Sequence, residues 1–267
     1  MRFIHFAISL ALLLLGDAIT AETNSKGPMV LFAQNHGEYY NLEGEGLSLQ
    51  RFTSILVDQG VEVSSLRRGE IDRESLEDVD VLILSYPMLN LSHREIKALQ
   101  VYVASGGGLL VLGGQLSREY VNPVLVQFGM EMGSDIIQRN GELNLRLRAG
   151  THEIFTYVNE FEYLHAPAVR VSDPAWVVYR GPLTREKWAL FAYRKYGVGR
   201  VFVSGDADFA NDFFIDNLDN AQLAYNMVLY TGGLSPVKLE KSDHSTSTLI
   251  LVSLAALALL FLIKVLM

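Results

Sequence analysis

Short apolar runs and amphipathic stretches take turns along most of the chain, and their spacing predicts an α/β fold. Met29–Gln34 is an apolar run fit for a buried strand, and a helix starting near Ser48 follows, with Leu49, Phe52, Ile55 and Leu56 on one face. Val61–Leu66 alternates apolar and polar positions, which predicts a strand near a sheet edge. The charged stretch Arg67–Asp80 has room for one helical turn, and Val79–Tyr86 reads as a fully buried strand. Ser92-His93-Arg94-Glu95 has the form of a capping box, opening a helix with Ile96, Leu99 and Val103 on its apolar face and Gly106 at its end. Leu109–Leu112 predicts a fourth strand and Ser117–Phe128 a further helix.

Between residues 130 and 194 the period changes. Leu143, Leu145 and Leu147 alternate with polar residues, and Trp176–Tyr179 and Trp188–Tyr193 flank the turn Gly181-Pro182. This predicts a β-rich antiparallel insertion that flanks or extends the sheet. Arg200–Gly205 is the last core strand, and a helix over Asp219–Tyr230 carries the stripe Leu223, Met227 and Tyr230. The expected fold is a flavodoxin-like, doubly wound, mostly parallel sheet with that insertion.

The two ends add a location. Arg2, the apolar run Phe6–Leu15 and the small residues Gly16, Ala18 and Ala21 follow the order of a secretory signal, assigned to residues 1–21. From Leu249 to Ile263 the only polar residue is Ser253, so residues 248–267 approach the ~20 residues of a membrane helix. The expected layout is an extracytoplasmic domain over 22–235, a linker over 236–247 and a single-pass anchor in the bilayer of the cell membrane.

Charge and cysteine count then exclude some chemistry. A net charge of −8 and a pI near 5.3 argue against nucleic acid as a partner, which calls for a basic face. With no cysteine, disulfides, thiolate metal sites and cysteine nucleophiles are all absent. Gly106-Gly107-Gly108 precedes a strand and so does not form a phosphate-binding turn, and neither Ser85 nor Ser204 sits in a nucleophile elbow.

In an open α/β sheet, ligands sit beyond the carboxyl ends of the strands. The polar residues expected there are Asn35, His36 and Glu38 after the first strand, and Asp206, Asp208 and Asn211 after the last. They suit three roles: holding the loops, binding a polar or glycan ligand, or acid–base work by His36 with Asp206 or Asp208, with a divalent cation as an optional cofactor. Asp-x-Asp alone is a weak calcium signal, since the loop lacks the central glycine and terminal glutamate of an EF-hand. Of the insertion histidines, His152 is the one expected to approach this edge. Tyr39, Tyr40, Tyr86, Phe209, Phe213 and Phe214 add aromatic surface, and Asn90-Leu91-Ser92 fits a glycosylation sequon.

Val30-Leu31-Phe32 with Asn35-His36-Gly37, Leu82–Ser85 with Leu91-Ser92 and Glu95-Ile96, Tyr102–Gly113, and Val203–Asp206 with Asp208, Asn211 and Asn220 together resemble the class I glutamine-amidotransferase-like superfamily, in its membrane-tethered, non-catalytic branch. The chain is more weakly similar to the amidotransferase-like lumenal subunit of oligosaccharyltransferase. The resemblance implies that Gly113-Gly114-Gln115 occupies the turn where catalytic members carry their cysteine, so that glutaminase activity is absent. The expected function is binding of a polar or glycan ligand, or assembly with partners in a membrane complex. The alternative is a hydrolase built on His36.

Overall fold

The computed structural model describes residues 27–43, 47–183 and 185–240. The expected signal and membrane segments lie outside these residues, and no helix among the described residues is long and apolar enough to cross a membrane.

The chain opens with β1 (Met29–Ala33), α1 (Gln50–Asp58), β2 (Glu62–Leu66), β3 (Val81–Ser85), α2 (His93–Ala104), β4 (Gly108–Leu112) and α3 (Arg118–Leu125). The expected helical turn in Arg67–Asp80 does not form; that stretch is a series of turns. The predicted third helix ends early, at Leu125, and Val126–Phe128 tightens into a 3₁₀ turn closed by Gly129 in the left-handed region, φ 71°.

The insertion contributes β5 (Met130–Ile136), β6 (Asn144–Arg148), β7 (Glu160–Leu164), β8 (Pro167–Val171), β9 (Val177–Tyr179), β10 (Trp188–Ala189) and β11 (Phe191–Tyr196). Strand β12 (Gly199–Ser204) and helix α4 (Asn220–Thr231) complete the described chain. The main sheet has seven strands in the order β2-β1-β3-β4-β12-β11-β9. From β2 to β12 every pairing is parallel, while β11 and β9 extend the sheet antiparallel. The fold is therefore mixed α/β around a largely parallel central sheet. The rest of the insertion makes an antiparallel β10-β8-β5 sheet and a separate β6–β7 pair.

The parallel strands are apolar on both faces because helices cover both. Val30, Phe32, Ile83, Leu110 and Phe202 pack with Phe52 and Leu56 of α1 and Leu223 and Met227 of α4. The alternate residues Leu31, Leu82, Leu84, Val111 and Val203 pack with Leu99 and Val103 of α2 and Val121 and Val124 of α3. This two-residue alternation places α1 and α4 on one face and α2 and α3 on the other.

The end of β12 is pressed against the insertion. A Cβ on Gly205 would lie 2.0 Å from the Pro167 carbonyl oxygen and 2.3 Å from the Tyr163 hydroxyl. Backbone cannot yield as a flexible side chain does, so Gly205→Ala is expected to lower stability by roughly 2–3 kcal/mol. Urea unfolding of the variant measures this.

Candidate functional site

The carboxyl ends of β1, β3, β4 and β12 open on one edge. β3 and β4 stand between β1 and β12, yet the loop after β1 is long enough to cross them. Its Met88–His36 backbone bond (3.0 Å) and Tyr39–Tyr86 backbone bond (3.0 Å) lay it over the segment after β3. Gly37 takes the left-handed conformation at φ 64° that the turn requires. Tyr39, Tyr40 and Tyr86 then form a ring cluster with centroids 5.0–5.7 Å apart.

His36 is buried, and its Nε2 lies 3.0 Å from Glu95 Oε1. It makes no hydrogen bond with Asp206 or Asp208. Glu95 does more than the capping box requires: Oε2 accepts from the Ser92 amide at 2.7 Å, while Oε1 also accepts from the Ile71 amide at 3.0 Å. Burial alone would raise the Glu95 carboxyl. The Ile71 and Ser92 amides and the nearby imidazole outweigh burial and hold it below the ordinary glutamate value.

The β12 side of the edge is closed by its own bonds. Asp206 is fully buried, with Oδ2 accepting from the Leu164 amide and Oδ1 from the Asp208 amide, each at 2.7 Å. Burial, with the adjacent Asp208 charge, pushes its carboxyl well above the usual range. Asp208 is raised by burial too, while its bond from the Tyr40 hydroxyl and the charge of His165 pull the other way. Asn211 donates to the Tyr40 oxygen at 3.4 Å and accepts from the Phe213 amide at 2.9 Å. Neighbouring Asp212 accepts from the Ser48 hydroxyl and, at 2.8 Å, from the Arg51 amide, so it caps α1 from across the fold.

The β1–β3 side differs. Asn35 Oδ1, His36 Nδ1, Glu38 Oε1 and Ser85 Oγ are buried polar atoms without a hydrogen-bond partner. Asn35 donates through Nδ2 to the Gly69 carbonyl at 2.9 Å, and Glu38 Oε2 accepts from the His36 amide at 3.0 Å, so each side chain is half used. Burial holds the Glu38 carboxyl above its ordinary value. Each such orphan costs about 1–3 kcal/mol, so four at one end of β1 and β3 call for an explanation.

Sequence reasoning missed Glu95 as the partner of His36, because a capping-box glutamate already had a role. It missed Tyr40, whose hydroxyl carries the link from the β1 loop to Asp208. It also chose the wrong insertion histidine. His152 Nδ1 accepts from the Ile154 amide at 3.3 Å and its ring stands 5.1 Å from that of Tyr230, whereas His165, in the β7–β8 turn at φ 48°, is the histidine whose charge reaches Asp208. Asn90 is exposed in its loop, while Ser92 of the sequon caps α2. No group of three or more His, Asp or Glu side chains among the described residues is arranged to hold a metal ion.

The sequence model of a family described as Domain of unknown function (DUF4350) matches residues 49–228. No curated protein matches. Among solved structures the chain is similar to the mmIFT52 N-terminal domain, at 19% identity and TM-score 0.63, covering 79% of this chain and 100% of that one. It is also similar to a ThuA-like protein from Bacteroides uniformis, at 15% identity and TM-score 0.48, covering 81% and 98%. A further similarity is to a cytoplasmic protein from Salmonella typhimurium LT2, at 16% identity and TM-score 0.47, covering 76% and 99%. These findings correct the resemblance drawn from sequence: no glutamine-amidotransferase-like protein or oligosaccharyltransferase subunit is matched. The segments that carried it are strand-loop-helix junctions, which many parallel α/β sheets share.

Two outcomes test the geometry of the site. Asp206→Ala leaves two buried amides unpaired and is expected to cost about 3 kcal/mol in urea unfolding. The depressed Glu95 carboxyl stabilises the fold fully above the unfolded value of 4.5, and this contribution is lost as pH falls below it through the folded value. Between pH 5 and roughly pH 3, wild type is expected to lose more stability than Glu95→Gln; parallel pH–stability curves would not fit this account.

Proposed function

This chain belongs to the DUF4350 family, and we propose that it is a membrane-tethered, extracytoplasmic, non-catalytic domain that binds a small polyhydroxylated ligand, such as a sugar, where β1 and β3 end. One observation carries the reading: the four partnerless polar atoms of Asn35, His36, Glu38 and Ser85 at that edge.

Their chemistry selects the ligand class. His36 Nε2 is committed to Glu95, which leaves Nδ1 as the free ring nitrogen. Asn35 Oδ1 accepts, as does Glu38 Oε1 in its carboxylate form, and Ser85 Oγ does either. A ligand rich in hydroxyl donors answers that set. Tyr39, exposed beside Glu38, adds a ring face on which a sugar can stack. The hydrolase alternative, through His36 with Asp206 or Asp208, draws no support from hydrogen bonds that already commit His36 to Glu95 and Asp206 to backbone amides.

The strand order β2-β1-β3-β4-β12 supports reading the parallel part as a flavodoxin-like, doubly wound sheet. The tether is read from the apolar residues 248–267. Support comes from the start of the linker, where Gln222 donates to the Val237 carbonyl (2.8 Å) and accepts from the Leu239 amide (2.9 Å), and Gln59 does the same for Glu240 (3.1 and 3.3 Å). The chain is thereby held to the α1–α4 face as far as Glu240. Residues 241–247 reach at most ~25 Å, so the domain sits close to the bilayer.

Calorimetry of the purified protein against a panel of neutral and amino sugars tests the binding reading. Ser85→Ala and Glu38→Gln are expected to weaken binding about tenfold or more, by analogy with other sites that leave polar groups unpaired. Because hydroxyl donation favours the Glu38 carboxylate, affinity should rise as pH climbs through the raised Glu38 value. A panel that yields no binder, or a binder indifferent to both substitutions, sinks the proposal.

A further inference from the structure

On the opposite face from the tether strap, the turns of residues 71–79 and helix α2 enclose a groove of about 710 Å³. Its wall carries Arg73, Arg94 and Lys97, and Glu77 is the one acidic residue lining it. Elsewhere four arginines are paired with carboxylates: Arg51 with Asp216, Arg67 with Glu43, Arg146 with Glu160 and Arg170 with Glu131. Among the described residues the side chains of Arg73, Arg94 and Lys97 make no ion pair or hydrogen bond. Three cations against one carboxylate line this groove, in a chain with net charge −8.

Their position on the helix sharpens the point. Arg94 and Lys97 lie in the first two turns of α2, three residues apart and so neighbours on its surface. Glu95 already answers the helix N-terminus through the capping box, so the preference of this end of the groove for anions comes from the Arg73, Arg94 and Lys97 side chains that line it. The other end is apolar and rigid. The Tyr102 hydroxyl is shared between the Val79 and Gly108 carbonyls at 3.2 and 3.3 Å. Its ring lies so close over Gly107 that a Cβ there would fall 2.3 Å from it. Val101 stands 55% exposed on the rim.

We propose that this groove docks an acidic amphipathic segment of a partner protein, its carboxylates on Arg73, Arg94 and Lys97 and its apolar side chains on Leu76, Val101 and Tyr102. The groove runs along α2, about 18 Å for a helix of this length, and is open to solvent, which suits a peptide segment better than a single small anion. The proposal is independent of the ligand site where β1 and β3 end.

Peptide-display selection against the full-length protein in mild detergent tests it, with the Arg94→Glu, Lys97→Glu double variant as counter-target. Both side chains are exposed and make no ion pair or hydrogen bond among the described residues, so the variant should keep the wild-type Tm. The expected result is enrichment of sequences that combine Asp or Glu with apolar residues. These should bind the double variant at least tenfold more weakly and lose affinity as salt rises, and Val101→Asp should weaken them as well. Selected peptides without acidic bias, or equal binding to wild type and the double variant, would overturn the proposal. So would charge-dependent binding to phosphatidylglycerol vesicles in the absence of any peptide binding, which would assign the groove to the membrane surface.

Discussion

The carboxyl edge of the sheet is organised by one buried carboxylate. Glu95 closes the first turn of α2 through Ser92, holds the turns after β2 through the Ile71 amide, and fixes the ring of His36 in the loop after β1. Burying a charge is costly unless it is paired and hydrogen-bonded, and Glu95 meets that condition with donors from three separate segments. Each donor depends on the others, since without the carboxylate two amides and an imidazole are left without it in a dry place. The position of His36 therefore follows from the placement of α2 against the sheet.

A second carboxylate plays the matching part on the other side. Asp206 joins the end of β12 to Leu164 of β7 and to its own turn, which ties the insertion to the parallel sheet. Tyr40 spans the gap between the two halves by donating to Asp208. The edge is thus polar throughout but divided. Around Asp206 and Asn211 the hydrogen bonds close on themselves, and these residues serve the fold. Around Asn35, His36, Glu38 and Ser85 four buried polar atoms stay without a partner, which is what the proposed ligand site rests on. The α2 groove is a separate surface, distinguished by free cations and an apolar floor instead of buried orphans.

The sequence by itself determined the α/β class, the order of the parallel strands and helices, the capping box at Ser92 and the change to antiparallel strands after residue 130. Each is a local signal: a two-fold or 3.6-fold period, or a cap within one turn of chain. It also placed Asn35, His36, Glu38, Asp206, Asp208 and Asn211 at one sheet edge, because strand ends follow from strand direction. Only the tertiary structure decided which of these side chains face one another. His36 pairs with a glutamate far along the chain, Asp206 with an amide of the insertion, and His165 rather than His152 comes near Asp208. Those partnerships depend on crossing loops and on the seating of one layer on another, and no periodicity along the chain encodes such long-range geometry.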